Sequence, residues 1–381
     1  MAAPAWAEAA VAATETSRGR GILLAALALP IAQPALADTP PERASIAYKY
    51  LDYLDFQPGW DRIGVQSHAL AAVLPIAGKW SVEGTLVSDT VSGASPLYHS
   101  QKFRSAEMHD QRTGVDFQIA RFFPRGSFRF SVADSTESDY HSSAYAATGT
   151  WSTESKNTTF TLGVGKTDDL VNATKMRVFK QPKVVYEGMA GITQVLTKQD
   201  VVQLTVTYSS GSGDFSDPYK YRDQRPNTKY QDTVLARWNH HFAATDGTAR
   251  LGYRYYRDSF DIRAHTFTLE YVQPLHETWT VTPFLRYHAQ SSAWFYLDPV
   301  SDPFPTFAPA TAIQSQDQRL AAFGAGSLGV KVAKYLTPDL MADFRYERYE
   351  QRSGWYGFGK RSTGIDPFGA DIFQVGLTWF F

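Results

Sequence analysis

The 381-residue chain has no cysteine. That excludes disulfides, thiolate metal sites and cysteine nucleophiles, and it suits export to an oxidising compartment. Charge is also sparse: charged residues make up 20%, and 37 Lys and Arg against 38 Asp and Glu leave a formal net charge of -1. Without a basic stripe, nucleic-acid binding has no electrostatic footing. Past the amino-terminal segment, no stretch nears the roughly 20 apolar residues of a spanning helix. A mean hydropathy of -0.31 is likewise too polar for a helical membrane protein. No segment carries convincing helical periodicity.

What the chain has is aromatic residues. Its 21 Tyr, 24 Phe and 9 Trp make up 14% of the sequence. The single long apolar run is at the front, in SRGRGILLAALALPIAQPALADTP, where Arg18 and Arg20 precede an apolar core and Ala35-Leu36-Ala37. This is the layout of a secretory signal peptide cleaved after Ala37. Residues 1–17 hold two acids and no base, so they read as an extension before the true start, or else as a long n-region. The expected division is a leader at 1–37, a short periplasmic lead at 38–42 and one barrel domain at 43–381.

Alternation of apolar and polar residues then recurs sixteen times, near 43–52, 62–75, 79–90, 111–122, 127–134, 143–152, 157–166, 184–196, 200–210, 229–241, 247–258, 262–273, 277–290, 318–335, 339–350 and 370–381. Most runs reach the roughly 9–11 residues that a tilted strand needs to cross a bilayer. Short connections rich in turn formers, such as IAGKWS, FPRGS and AATDG, alternate with long ones at 91–110, 167–183, 211–228, 291–317 and 351–369. The fold expected is all-β: a transmembrane antiparallel β-barrel of about 16 strands, with short periplasmic turns, long extracellular loops and both termini periplasmic. A water-soluble β-sandwich or β-helix would not produce this rhythm of loop lengths.

The faces of the runs agree. VQLTVTY sets Val202, Leu204, Val206 and Tyr208 against Gln203, Thr205 and Thr207, as lipid outside and water inside require. Trp80, Trp151, Trp238 and Trp279 sit near short turns, where an interfacial aromatic belt is expected. The closing segment DIFQVGLTWFF aligns Phe373, Val375, Leu377, Trp379 and Phe381 on one face. It resembles the carboxy-terminal signal that the barrel-assembly machinery reads in bacterial outer-membrane proteins.

Three further stretches, SVEGTLVSDTVSGASPLYHS at 81–100, GDFSDPYKYRDQRPNTKYQ at 213–231 and LRYHAQSSAWFYLD at 285–298, resemble the bacterial outer-membrane barrel family DUF3570, as does RYYRDSFDIRAHTFTLEYVQPL. The resemblance runs from about residue 43 to 381. It implies a barrel and, from the flavin-transferase and thioredoxin-like genes often found beside those of family members, a redox-linked export context. Where the family pattern carries Asp before Phe-Tyr, this chain has Trp294, which puts any role for that acid in doubt.

With the apolar phase assigned to lipid, Lys49, Glu83, Asp116, Arg129, Arg237, Arg250, Arg254, Glu270, Arg286, Lys331, Asp343, Arg345 and Glu347 turn inward. Of these, Arg237, Arg250, Arg254, Glu270, Arg286, Asp343, Arg345 and Glu347 are the candidate pore-lining set. The four arginines on neighbouring strands would filter for anions; the alternative is that they pair with acids and brace a filled lumen. Two functions follow from these readings: a porin-like channel for small polar or anionic solutes, or a closed accessory barrel that presents loops to a partner complex.

The loop at 291–317, rich in aromatics and proline, either folds inward over the pore or caps it from outside. Asp214, Asp217 and Asp223 lack the acid-and-glycine pattern of an EF-hand. They read more simply as a loop in which Arg225 pairs with an Asp. His265 and His288 fall on adjacent strands, but no nucleophile motif accompanies them; His240 and His241 point to opposite faces, and His99, His109 and His141 read as loop residues. No catalytic residue, cofactor or metal is assigned. The partners expected are outer-membrane lipid and lipopolysaccharide, the assembly machinery and a small solute. A plugged receptor is disfavoured because the first strand starts soon after the cleavage site.

Overall fold

A computed structural model describes residues 39–94, 107–173, 178–303, 309, 311–357 and 361–381. The leader read at 1–37 and His99 therefore lie outside the described residues. Among those described, sixteen strands form a closed antiparallel ring in which each pairs with its chain neighbours and β1 with β16. They are β1 (Ser45–Gln57), β2 (Trp60–Ile76), β3 (Trp80–Ala94), β4 (Glu107–Phe123), β5 (Gly126–Thr136), β6 (Tyr140–Ser152), β7 (Thr158–Val171) and β8 (Gln181–Val195). The second half comprises β9 (Asp200–Gly213), β10 (Thr228–Phe242), β11 (Gly247–Asp258), β12 (Arg263–His276), β13 (Trp279–Gln290), β14 (Phe323–Thr337), β15 (Leu340–Arg352) and β16 (Phe368–Phe380). Each alternating run of the sequence corresponds to one strand, in order.

The period of two decides which side each residue faces. On the outer surface Tyr48 lies between Leu70 and Leu377 on its two neighbouring strands. Leu162 and Val164 are each 66% exposed. A wall of bare Leu, Val and Phe has no place in water and is at home in hydrocarbon. Trp80, Trp151, Trp238 and Trp279 are exposed near one rim, while Tyr145, Tyr186, Tyr208 and Tyr287 are exposed toward the other. Beyond those tyrosines the outer face turns ionic, with Arg348 2.9 Å from Asp371 and Arg257 2.8 Å from Asp232. The strands thus outrun the apolar band, which is why several are longer than their sequence runs.

The rims differ. One carries connections of at most five residues, at 77–79, 124–125, 153–157, 196–199, 243–246, 277–278 and 338–339. In the first of these, Ala77 and Gly78 adopt positive φ of 50° and 62°, the left-handed pair of a tight hairpin. The same rim holds the seam, where Ala44 N donates to Phe381 O at 3.0 Å and Phe381 N to Ala44 O at 2.9 Å. The other rim carries all the long loops, but also three tight turns, at 58–59, 137–139 and 259–262, so its connections are not uniformly long.

Besides the strands that outrun their runs, three placements depart from expectation, one of them His109, which lies in β4 rather than in a loop. β14 begins at Phe323 rather than 318, because Asp317 caps a 3-10 turn at Gln318–Leu320 by accepting from Arg319 N. The long loop therefore runs from 291 to 322. His141 lies in β6 and faces outward beside Asp134, at 3.4 Å, rather than in a loop.

Candidate functional site

Strand alternation turns the whole candidate set to the inner face. Arg237 on β10 is level with Gly252 on β11, which faces Thr268 on β12 and then Arg286 on β13. Arg250 faces Glu270 in register, with side chains 3.8 Å apart, and Lys331 reaches the same carboxylate at 3.0 Å. Arg345 pairs with Glu347 at 2.6 Å, and Lys49 with Asp343 at 3.3 Å. The set therefore divides. Glu347 is fully buried and Arg345 nearly so, whereas the Arg250 side chain is 39% exposed. Asp343, Arg345 and Glu347 brace the wall; Arg237, Arg250, Arg254 and Arg286 on β10–β13 are only partly buried on the inner face. Gly329 makes room for the brace, since a Cβ there would meet the Phe284 ring at 2.3 Å, and that ring lies under Arg345.

The described residues of the loop at 291–322 fold inward. Ala293, Phe295 and Leu320 pack with Phe260 and Ile262 against Tyr256 on the inner face of β11, and Phe215 joins them from the loop at 214–227. The Phe260 and Phe295 rings meet edge-on at 5.0 Å. Tyr296 extends the contact to a second cluster, Phe323, Ile365 and Phe368, with the inward Tyr53 and Tyr349.

A buried ionic network ties this loop to 214–227. Arg225 holds Asp223 through two bonds of 2.7 Å and reaches Asp317 at 2.7 Å. Arg319 grips Asp317 at 2.8 Å and Asp217 at 2.6 Å. Gln224 and Gln314 exchange backbone hydrogen bonds of 2.9 Å in both directions. Burial alone would raise the Asp217 carboxyl, but Arg319 and Lys220 outweigh it and bring the group down to about 2. The same contest, won by Arg319 and Arg225, holds Asp317 well below the usual carboxylate range. For Asp223 burial prevails over Arg225 and the carboxyl is pushed up. The expected pairing of Arg225 with an Asp is present, at Asp223, while Asp217 is held by Arg319 and Asp214 accepts from the Ser216 amide. Asp298 anchors the other side of the cap, accepting from the Val300, Ser301 and Gly364 amides.

Sequence reasoning missed Asp317 and Arg319, and also a series of inner-face pairs near the long-loop rim: Asp55 with Arg62, Asp89 with Arg112, Asp169 with Lys183, and Lys229 with Asp258. The signal was there. Each joins an acid and a base near the ends of adjacent strands.

Among the described residues, the carboxylates of Asp110, Glu137 and Asp139 come within 4.8 Å of one another, and Tyr219 donates to Asp139. His265 faces outward and bonds Tyr253 at 2.7 Å, while His288 is buried inside against Thr266 at 2.9 Å. They do not converge. His240 and His241 do face opposite ways, the former bonding Asp200 at 2.8 Å and the latter Thr248 at 3.2 Å.

A family model described as "Protein of unknown function (DUF3570)" matches residues 99–182 and 174–363. No curated protein matches. Among solved structures, a bacterial polysaccharide outer membrane secretin superposes with a TM-score of 0.52 at 7% identity, over 89% of this chain and 98% of that one. The CymD monoaromatic hydrocarbon channel gives 0.45 at 8%, over 89% of each chain. The siderophore receptor PirA from Pseudomonas aeruginosa gives 0.44 at 11%, over 82% of this chain; the match spans 57% of that receptor's length. At such identities the likeness is one of fold.

Proposed function

We propose, for a chain that belongs to the DUF3570 family of proteins of unknown function, that the barrel lies in the outer membrane and passes small polar solutes by diffusion, with anions favoured. A ring of sixteen strands is wide enough to leave an aqueous channel. One observation carries the reading: on β10–β13, Arg237, Arg250, Arg254 and Arg286 are only partly buried on the inner face, with Glu270 the acid set among them. Arginines on a water-filled wall raise the local anion concentration. The inward loop at 291–322 constricts the mouth above them.

In this reading the long-loop rim is extracellular and the seam at Ala44 and Phe381 periplasmic. Residues 1–37 are a leader removed on export. The outward row Phe373, Val375, Leu377, Trp379 and Phe381 is what the barrel-assembly machinery reads, and the aromatic belts contact lipid and lipopolysaccharide. The reversal potential across a planar bilayer in a KCl gradient tests selectivity. The expected sign is that of a chloride-preferring pore, weakened in Arg250→Gln/Arg254→Gln; a cation-preferring pore would refute it.

A second reading is favoured by the cap itself, which packs on the inner face as a fixed element. In this reading the barrel is closed and presents its loops to a partner. Folded protein that carries no current would decide for it.

A further inference from the structure

We infer that the lumen carries a transverse charge gradient that orients and selects zwitterionic solutes, those with a carboxylate and an ammonium group held apart. This rests on the channel reading and extends it. In a closed ring of sixteen, β3 and β4 lie eight strands away from β11 and β12, on the opposite side of the lumen. Glu83 on β3 and Asp116 on β4 face inward there and are part-buried.

Their heights match those of the arginines. Glu83 stands three residues from the short-turn end of β3 and Arg250 three from that end of β11. Asp116, Arg254 and Arg286 each stand seven residues from theirs. The two arcs differ in sign. Four arginines with one acid, Glu270, form one side. Two acids, with Arg129 on β5 as their cation, form the other.

A simple anion is drawn to one wall and repelled by the other. A zwitterion turned across the lumen satisfies both, carboxylate toward the guanidinium groups and ammonium toward Glu83 and Asp116. Water on both walls keeps each contact weak enough for release, as conduction requires.

Solute entry into liposomes bearing the folded full-length barrel tests this, with L-glutamine as the zwitterion, N-acetyl-L-glutamine as the anion and mannitol as the neutral probe. Glutamine should enter fastest, about tenfold faster than mannitol. Glu83→Gln/Asp116→Asn should bring glutamine down to the rate of N-acetylglutamine and speed N-acetylglutamine itself. Glu83→Asp/Asp116→Glu, which keeps the charge, should retain the preference. If the amide variant does not fold, the ranking of the three probes in the unaltered protein decides alone. Glutamine entering no faster than mannitol through a barrel that passes both overturns the inference and leaves the channel standing. No entry of any probe overturns the channel itself.

Discussion

Arg319 spans two long loops, placing its Nη2 2.6 Å from Oδ2 of Asp217 while its Nε holds Asp317 at 2.8 Å. Both carboxylates are buried, so the guanidinium cannot be removed cheaply. Breaking a buried pair by deleting one partner costs about 3–5 kcal/mol. Arg319→Gln should therefore free the cap and leave the barrel wall intact. Amide hydrogen exchange in 291–322 should rise while the strands stay protected. Unchanged exchange in that loop would show that the two apolar clusters hold the cap without the ionic network.

Gln224 and Gln314 test the same cap by the opposite route. Their reciprocal backbone hydrogen bonds define a narrow antiparallel pair, with Cα atoms about 5.5 Å apart. That falls within the roughly 4.4–6.8 Å that a disulfide spans. Because the native chain has no cysteine, Gln224→Cys/Gln314→Cys offers a single possible bridge. It should form readily in oxidised protein, without loss of folded yield. Two free thiols after oxidation would mean that the loops separate.

Acid should loosen the cap only at very low pH. The folded Asp217 carboxyl sits at about 2, against roughly 3.9 in an unfolded chain. A depressed group stabilises the folded form above the unfolded value and loses that contribution as pH falls through the folded one. Asp317 acts in the same direction. Asp223, raised by burial, titrates the other way and offsets part of the effect. The protection factors of amides in 214–227 and 291–322, with the intrinsic pH dependence of exchange divided out, should be flat from pH 7 to about 4 and fall toward 2. A midpoint near 6 would implicate some other group.

The terminal strand makes three separable claims. Leu377 is 45% exposed on the outer wall, so Leu377→Arg places a charge in hydrocarbon at a cost of about 2–4 kcal/mol near the midplane. Phe381→Ser should instead lower assembly, leaving whatever barrel forms fully stable. Thr378 faces inward but is only 1% exposed, so the lumen is packed there and a larger polar residue has no room. Thr378→Ser is thus the tolerated control, where inward orientation alone would have allowed asparagine. Folded outer-membrane yield, measured side by side, should rank Thr378→Ser well above the other two; equal losses from serine and arginine would invert the assigned faces.

Much of this architecture is legible in the sequence because a barrel strand obeys a local rule. Leu251, Tyr253 and Tyr255 alternate with Arg250, Gly252 and Arg254, and lipid against water leaves one assignment of faces. The inward direction of 291–322 is not legible that way. It depends on Phe295 meeting Phe260 and on Arg319 meeting Asp217, pairs far apart in the chain that no period connects. The splitting of the candidate set is only partly legible: Glu347 stands two residues from Arg345 on the same strand and face, whereas the facing of Arg250 and Glu270 on β11 and β12 needs the register, and the difference in burial between the two arginines needs the packed structure.

The central claim is an aqueous path through the barrel, and single-channel recording in planar bilayers addresses it most directly. Folded protein, verified by heat-modifiable migration, should give discrete conductance steps, with larger ones from Arg319→Gln as the cap loosens. Silence from both proteins under those conditions would contradict the account.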